Sequence, residues 1–395
     1  MKILWVKSDF LHPTTKGGQI RTLGILKSLH ARHEVHYVAL ESPGQQEGPA
    51  RSSEYCSYAY PVPHPAVPER RSLAFAGQLA AGLISPLPVS VSRYRSTPMR
   101  RQIEELQRKH RFDCVVCDFL FAAPNIPELS SCVLFQHNVE AVIWRRHVEN
   151  ATNLASRLYL QVQAGRMAGY EEKVCRTVQK IIAVSDVDAE TMRRVYGVSR
   201  VGVVPTGVDL DYFVPPPDPV PLADLVFLGS MDWMPNIDGV QWFVREVLPL
   251  IHRRQPDCSL AIVGRKAPAS IRRLAEQNPT IQVTGTVPDV RPWLWGSRVS
   301  IVPLRIGGGT RLKIYEAMAA RIPVVSTTIG AEGLDVRDGD TIHIADQPED
   351  LAERCLSLLD DPGARHRMAA SAWDEVAARC SWDAVSHRFE RLLLE

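Results

Sequence analysis

The residues with the clearest chemical purpose are Gly307-Gly308-Gly309-Thr310-Arg311-Leu312-Lys313, followed by Glu316. Glycines let backbone N–H groups approach an anion closely, and a helix starting there adds partial positive charge. Arg311 and Lys313 bring full charges to the same end. The stretch suits a diphosphate, and Glu316, further along the helix, suits a ribose diol. It is neither a Walker loop nor a Gly-x-Gly-x-x-Gly fingerprint. A plain glycine turn capping a helix would share the spacing.

His137 is the second candidate. It follows the apolar run Cys132–Phe135, and open α/β sheets bind ligands at the carboxyl ends of their strands. An imidazole there can hydrogen-bond a ligand hydroxyl or act as a general acid or base. The alternative is a cap or packing residue where strand turns into helix.

Other constellations point to structure. Asp186-x-Asp188 and Asp209-x-Asp211 have the spacing of a divalent-cation pair. However, Ser185-Asp186-Val187-Asp188 reads as a helix N-cap, and the second pair lies in a connecting segment, so no metal is expected. Cys114-x-x-Cys117 sits inside a buried strand without a second Cys/His pair at zinc spacing. The eight cysteines are scattered and fit a reducing compartment. Neither Gly-x-Ser-x-Gly nor His-Glu-x-x-His occurs. Trp233 reads as a core or rim residue, with stacking on an acceptor or base as the alternative.

Gly307 to Ala319, with Pro323-Val324-Val325-Ser326-Thr327 after it, resembles the donor-site signature of glycosyltransferase family 4. Pro205-Thr206-Gly207-Val208-Asp209 is similar to that family's inter-domain segment. Leu228-Gly229-Ser230 with Pro235-Asn236 and Gly239 resembles its second phosphate loop, and Gly285-Thr286-Val287 its base-side segment. Ala183-Val184-Ser185 resembles the strand closing the first sheet, and Gly17-Gly18 the N-terminal glycine loop facing the donor phosphates. Gln136-His137-Asn138-Val139-Glu140 through Tyr170-Glu171 is similar to a subgroup tied to bacterial exopolysaccharide and surface-sugar assembly.

The resemblance implies an α/β chain of the GT-B fold: two Rossmann-like doubly wound domains facing each other across a cleft. It implies retaining, metal-independent transfer of a hexose from a nucleoside-diphosphate sugar to a hydroxyl, with the departing phosphate accepting the proton. A UDP-sugar is favoured, and GDP-mannose stays open. No cofactor is expected. The implied donor-binding residues are Gly17, Gly18, Gly229, Ser230, Asn236, Val287, Gly307, Gly308, Gly309, Thr310, Arg311, Lys313 and Glu316. His137, Lys313 and Glu316 form the implied catalytic set.

Two departures matter. Where relatives carry Glu-x7-Glu, Glu316 fills the second place but Gly308 stands at the first. The usual Arg and Lys after the Gly229 strand are replaced by Ser230-Met231-Asp232-Trp233-Met234. Lys313, with Arg311, is expected to supply the missing charge. The alternatives are a non-catalytic nucleotide-sugar or glycan-binding module of a polysaccharide assembly, or a GT-B epimerase.

The elements that must position these residues alternate strand and helix in two runs. Strands are predicted at Ile3–Val6, Val35–Ala39, Cys114–Cys117, Cys132–Phe135, Lys180–Val184 and Val201–Val204, with residues 42–70 as loop and one long helical region over Val139–Thr177. After Pro215-Pro216-Pro217-Asp218-Pro219 the alternation restarts at Leu225–Leu228 and runs to a last helix, Trp382–Leu394. The expected domains are 1–207, joined by residues 381–395 crossing back, and 208–380.

At 395 residues with 45% hydrophobic and 23% charged residues, the chain reads as an ordinary globular protein. Residues 1–200 hold 26 Lys/Arg against 18 Asp/Glu; the rest hold 20 against 26. The basic half suits a glycan, lipid-linked or small-molecule acceptor near an anionic membrane face, and would serve equally as a solvated surface. No nucleic acid partner is expected. No apolar run is long enough to span a bilayer and no signal peptide is visible, so the expected location is cytoplasmic, with peripheral membrane contact through the N-terminal domain.

Overall fold

Strands buried on both faces need continuous apolar runs, and parallel sheets covered by helices supply that setting. The computed structural model describes residues 1–14, 17–44, 46–65, 72–149, 151, 153–306 and 312–395. Its strands are β1 (Lys2–Lys7), β2 (Glu34–Glu41), β3 (Tyr58–Pro63), β4 (Cys114–Asp118), β5 (Cys132–Gln136), β6 (Lys180–Ala183) and β7 (Val201–Val203) in the first half. In the second half they are β8 (Ala223–Leu228), β9 (Leu260–Val263), β10 (Ile281–Gly285), β11 (Ser297–Val302), β12 (Val324–Ser326) and β13 (His343–Ile344).

The first seven form one sheet in the order β3-β2-β1-β4-β5-β6-β7, and the others a second in the order β10-β9-β8-β11-β12-β13. All pairs are parallel. Each sheet is doubly wound, as expected. In each the strand order reverses once, between β1 and β4 and between β8 and β11. Such reversals open a crevice at the carboxyl ends of the two strands.

The chain divides into two compact units, Met1–Pro205 with Val385–Glu395, and Thr206–Ala384. In the first, Phe389 of the last helix, Trp382–Leu394, packs against Trp5 and Phe135 at ring distances of 5.5 and 5.0 Å. In the second, a Cβ on Gly207 would lie 2.3 Å from the Trp382 ring, so the indole seals the start of that unit. The Pro215–Pro219 stretch lies inside the second unit.

Three elements differ from expectation. β3 lies in the segment read as loop; Pro61 and Pro63 hide it, and prolines are tolerated because β3 is an edge strand. The region 139–177 is two helices, Glu140–Glu149 and Leu154–Thr177, the second started by Asn153, whose side chain accepts from Ser156 N. The last strand, expected over Thr341–Ile344, is His343–Ile344. Among the described residues no helix is long and apolar enough to cross a membrane.

Candidate functional site

At the reversal point of the first sheet, the last residues of β1 and β4 are register partners, Lys7 and Asp118. Both are buried, and Lys7 Nζ donates to Asp118 Oδ1 at 2.7 Å. Asp118 Oδ1 also accepts from His137 Nε2 at 2.6 Å; Oδ2 accepts from Thr22 Oγ1 at 2.7 Å and Trp5 Nε1 at 2.8 Å. Burial would raise this carboxyl, but Lys7 and His137 together hold it well below the usual carboxylate range.

His137 follows β5 and is itself buried. Arg21 Nη1 lies 2.9 Å from Nδ1 of the ring. A guanidinium only donates, so Nδ1 accepts, and Nε2 carries the ring proton and donates the hydrogen bond to Asp118. Burial lowers the His137 pKa to about 4, with Asp118 pulling upward and Lys7 and Arg21 downward. The ring is therefore neutral, with both nitrogens engaged by protein. Arg21, also buried, is lowered to about 10 by desolvation, with Asp188 and Asp118 drawing it back. Gly17 and Gly18 open the helix Gly17–His30 that carries Arg21 and Thr22, and a Cβ on Gly18 would sit 3.8 Å from His137 Nδ1. Phe119, next after Asp118, holds φ at 76° and sets its ring edge-on to His137 at 5.4 Å. A bulky residue in that region stores on the order of 1–3 kcal/mol of strain, a recurrent mark of functional sites.

A second buried carboxylate fixes the far side of this junction. Glu171 Oε1 accepts from Gln136 Nε2 at 2.7 Å and Glu140 N at 3.0 Å; Oε2 accepts from Ala141 N and Tyr196 Oη, both at 2.7 Å. It thus caps the helix Glu140–Glu149, where negative charge is favoured. Burial and the neighbouring Glu171 push the Glu140 carboxyl up to about 7. Asp188 proves to be part of a helix start, its N–H donating to the Ser185 cap at 3.1 Å, and Asp209 accepts from Tyr212 N at 3.0 Å in a turn. Cys114 and Cys117 are free thiols, and burial pushes Cys114 up to about 12.

At the reversal point of the second sheet, Gly229 follows β8. A Cβ there would lie 2.7 Å from Asn236 Nδ2 and 2.8 Å from Lys313 Nζ, so both side chains close over the glycine. Lys313 Nζ donates to Asn236 Oδ1 at 2.9 Å, and Asn236 Nδ2 donates to Ser230 O at 2.8 Å. Lys313 also lies 4.3 Å from the Phe227 ring centroid, a cation–π arrangement. Gly264, after β9, presses against the same turn: a Cβ on it would meet Gly229 O at 1.8 Å.

That contact brings in a residue the sequence reading missed. Arg265 Nε donates to Ser230 Oγ at 2.9 Å, and Lys266 pairs with Asp232 at 3.1 Å. Positive charge thus reaches the Gly229 loop from the adjacent strand's end; a basic pair directly after a Gly-ended strand was the available signal.

Glu316 lies on the helix Leu312–Ala319, partly exposed, and its carboxylate has no hydrogen bond among the described residues. Burial raises its carboxyl, with Lys313 drawing it down. Val287 is half-buried after the register shift at Gly285, whose φ of 70° suits glycine. Trp233 is 40% exposed. Gly307, Gly308, Gly309, Thr310 and Arg311 lie outside the described residues. Among the described residues, the structure brings together Gly229, Ser230, Asn236 and Lys313 in one unit and Gly18 with His137 in the other.

Residues 15–212 match the family described as Glycosyltransferase Family 4, and residues 223–361 match Glycosyl transferases group 1. The chain belongs to glycosyltransferase family 4. It is a glycosyltransferase of the GT-B type. An uncharacterized 44.6 kDa protein in the cps region of Klebsiella pneumoniae is 20% identical over 387 residues, 94% of either chain. The phosphatidyl-myo-inositol mannosyltransferase of Mycobacterium tuberculosis is 27% identical over 351 residues, covering 84% of this chain and 85% of that one. Alr3699/HepE of Anabaena, solved in complex with UDP and glucose, superposes with a TM-score of 0.66 at 14% identity over all of both chains. For this family 4 chain, that last likeness speaks to fold.

Proposed function

We propose that this glycosyltransferase moves a hexose from a nucleoside-diphosphate sugar, a UDP-sugar by preference, to a hydroxyl of a glycan, lipid-linked or small-molecule acceptor, with retention and without a metal. The observation that carries this reading is the closure of Lys313 and Asn236 over Gly229, with Arg265 on Ser230. A diphosphate at the reversal point of the second sheet meets backbone N–H groups and two cations there. Those charges stabilise a departing nucleoside diphosphate as a metal would. Glu316, whose carboxylate has no hydrogen bond among the described residues, is the acceptor for a ribose diol.

UDP is favoured because Alr3699/HepE carries it. The M. tuberculosis mannosyltransferase keeps mannose among the candidate sugars, and the cps-region relative supports a surface polysaccharide as the setting. In the first unit His137 serves by position: its Nδ1 accepts from Arg21 and its Nε2 donates to Asp118, which Lys7 holds in turn.

Screening nucleotide sugars for thermal stabilisation in EDTA, then following transfer by NMR of the anomeric proton, tests the reading. Stabilisation by one donor and an axial-to-axial product are expected. No stabilisation by any donor, or inversion, would refute it. Hydrolysis or transfer lost in His137→Ala also separates an enzyme from a sugar-binding module, which has no need of the Arg21–His137 contact.

A further inference from the structure

Arg321 holds φ at 60°, in the region that favours glycine. It stands just past the helix Leu312–Ala319. Its N–H donates to Met318 O at 3.0 Å, and Ile322 N donates to Ala317 O at 2.9 Å. Glycine normally completes a helix ending of this kind. An arginine there strains the backbone, and such strain recurs at functional sites. The guanidinium lies 4.2 Å from the Trp373 ring centroid, a stacking that fixes its plane and leaves its N–H edge for a ligand.

Beside it is a cavity of about 350 Å3 at the amino ends of β11 and β12. Gly229 lies at the other edge of this parallel sheet, after the carboxyl end of β8. Arg298, Arg321, Arg365 and His366 line the cavity, with Ser297 and Pro323 in its wall, and among the described residues no carboxylate does. Two of the guanidinium groups share one acceptor. Arg298 Nη2 and Arg365 Nη1 both donate to Leu359 O, the latter at 3.0 Å, and Arg365 Nη1 also donates to Leu358 O at 2.6 Å. Both carbonyls belong to the last turn of the helix Pro348–Asp360, where cations are favoured. Capping that helix explains where these two groups sit. It does not explain Arg321, nor two like charges drawn onto one oxygen. Burial lowers the Arg365 pKa and Arg298 lowers it further, against Asp361 and Asp224.

The carboxylates nearby are committed. Asp224 accepts from Ser259 N and Oγ, both at 2.9 Å, and pairs with Arg298 at 2.9 Å. Asp361 accepts from Gly363 N at 2.7 Å at the start of the helix Pro362–Arg379, and pairs with Arg367 at 3.6 Å. Arg298 is thus neutralised, while Arg321 and Arg365 have no ion pair among the described residues. Two uncompensated guanidinium charges match a phosphomonoester, which carries about −1.5 to −2 at neutral pH. Guanidinium forks take phosphate oxygens in pairs, and a cavity of this size holds a small esterified group as well.

We propose that Arg298, Arg321 and Arg365 form a binding site for a small phosphomonoester, separate from the donor loop. The test is calorimetric titration of glucose 6-phosphate into the full chain. Saturable binding is expected, with inorganic phosphate competing more weakly and glucose ignored. Arg321→Gly suits the backbone there and should keep or raise the melting temperature while weakening glucose 6-phosphate by about tenfold or more, as loss of a charge-assisted contact requires. Arg365→Gln should weaken it as well. Lys313→Ala should leave this binding unchanged, and Arg321→Gly should leave UDP binding unchanged, so this site and the donor site fail separately. No saturable binding of glucose 6-phosphate, glucose or inorganic phosphate bound as tightly as the ester, unchanged affinity in Arg321→Gly, or binding lost in Lys313→Ala would overturn the proposal.

Discussion

Asp118 Oδ1 accepts a hydrogen bond from His137 Nε2 across 2.6 Å at the carboxyl ends of β4 and β5. That one bond sets the ring's tautomer, leaves Nδ1 to accept from Arg21, and ties a buried Lys–Asp pair to the helix carrying the glycine loop. Removing one partner of such a pair strands the other charge. Asp118→Asn is expected to cost about 3–5 kcal/mol in urea unfolding and to lower transfer more than donor affinity. Asp118→Asn at full stability would show that Lys7 is not held by it.

The acid limb of stability should carry two opposed slopes. His137 titrates near 4 in the fold against 6.5 unfolded, so between those values the unfolded chain binds more protons and stability falls as pH drops. Glu140 titrates near 7 against 4.5 unfolded, so stability falls as pH rises between those values. Each slope is about 1.4 kcal/mol per pH unit. Glu140→Gln should expose the His137 slope, stability then rising from pH 4 to 6.5, and His137→Gln the reverse. Denaturant titrations at several pH values check this; identical profiles in both variants would refute the assignment.

Two glycines should respond differently to alanine. In Gly264→Ala the new methyl meets the Gly229 carbonyl at 1.8 Å, backbone that cannot step aside, and a loss of about 1–3 kcal/mol or more is expected. In Gly229→Ala the obstacles are the tips of Asn236 and Lys313, which can move. Donor affinity should suffer there more than melting temperature. Comparing thermal melts with nucleotide titrations of both variants distinguishes the cases.

Much of this was legible along the chain because parallel sheets write themselves as apolar runs, and a cap such as Ser185 announces a helix start; the Asn153 cap went unread inside one long helical pattern. The site was legible only where one segment holds it. Lys313 and Asn236 stand in recognisable stretches, but Asp118 looked like an ordinary strand end. Its importance comes from register with Lys7, 111 residues away. Arg265 escaped notice for the same reason: its partner Ser230 belongs to another strand's end. β3 escaped because its two prolines contradict strand propensity, which edge position overrides.

The most direct measurement is calorimetric titration of UDP into the unaltered chain and into Lys313→Ala, in EDTA. The expected result is metal-free binding by the former and affinity weakened by about tenfold to a hundredfold in the latter, as loss of a charge-assisted contact of about 1.5–3 kcal/mol requires. UDP bound equally by both, or by neither, would contradict the assignment of the Gly229–Lys313 closure to the donor diphosphate.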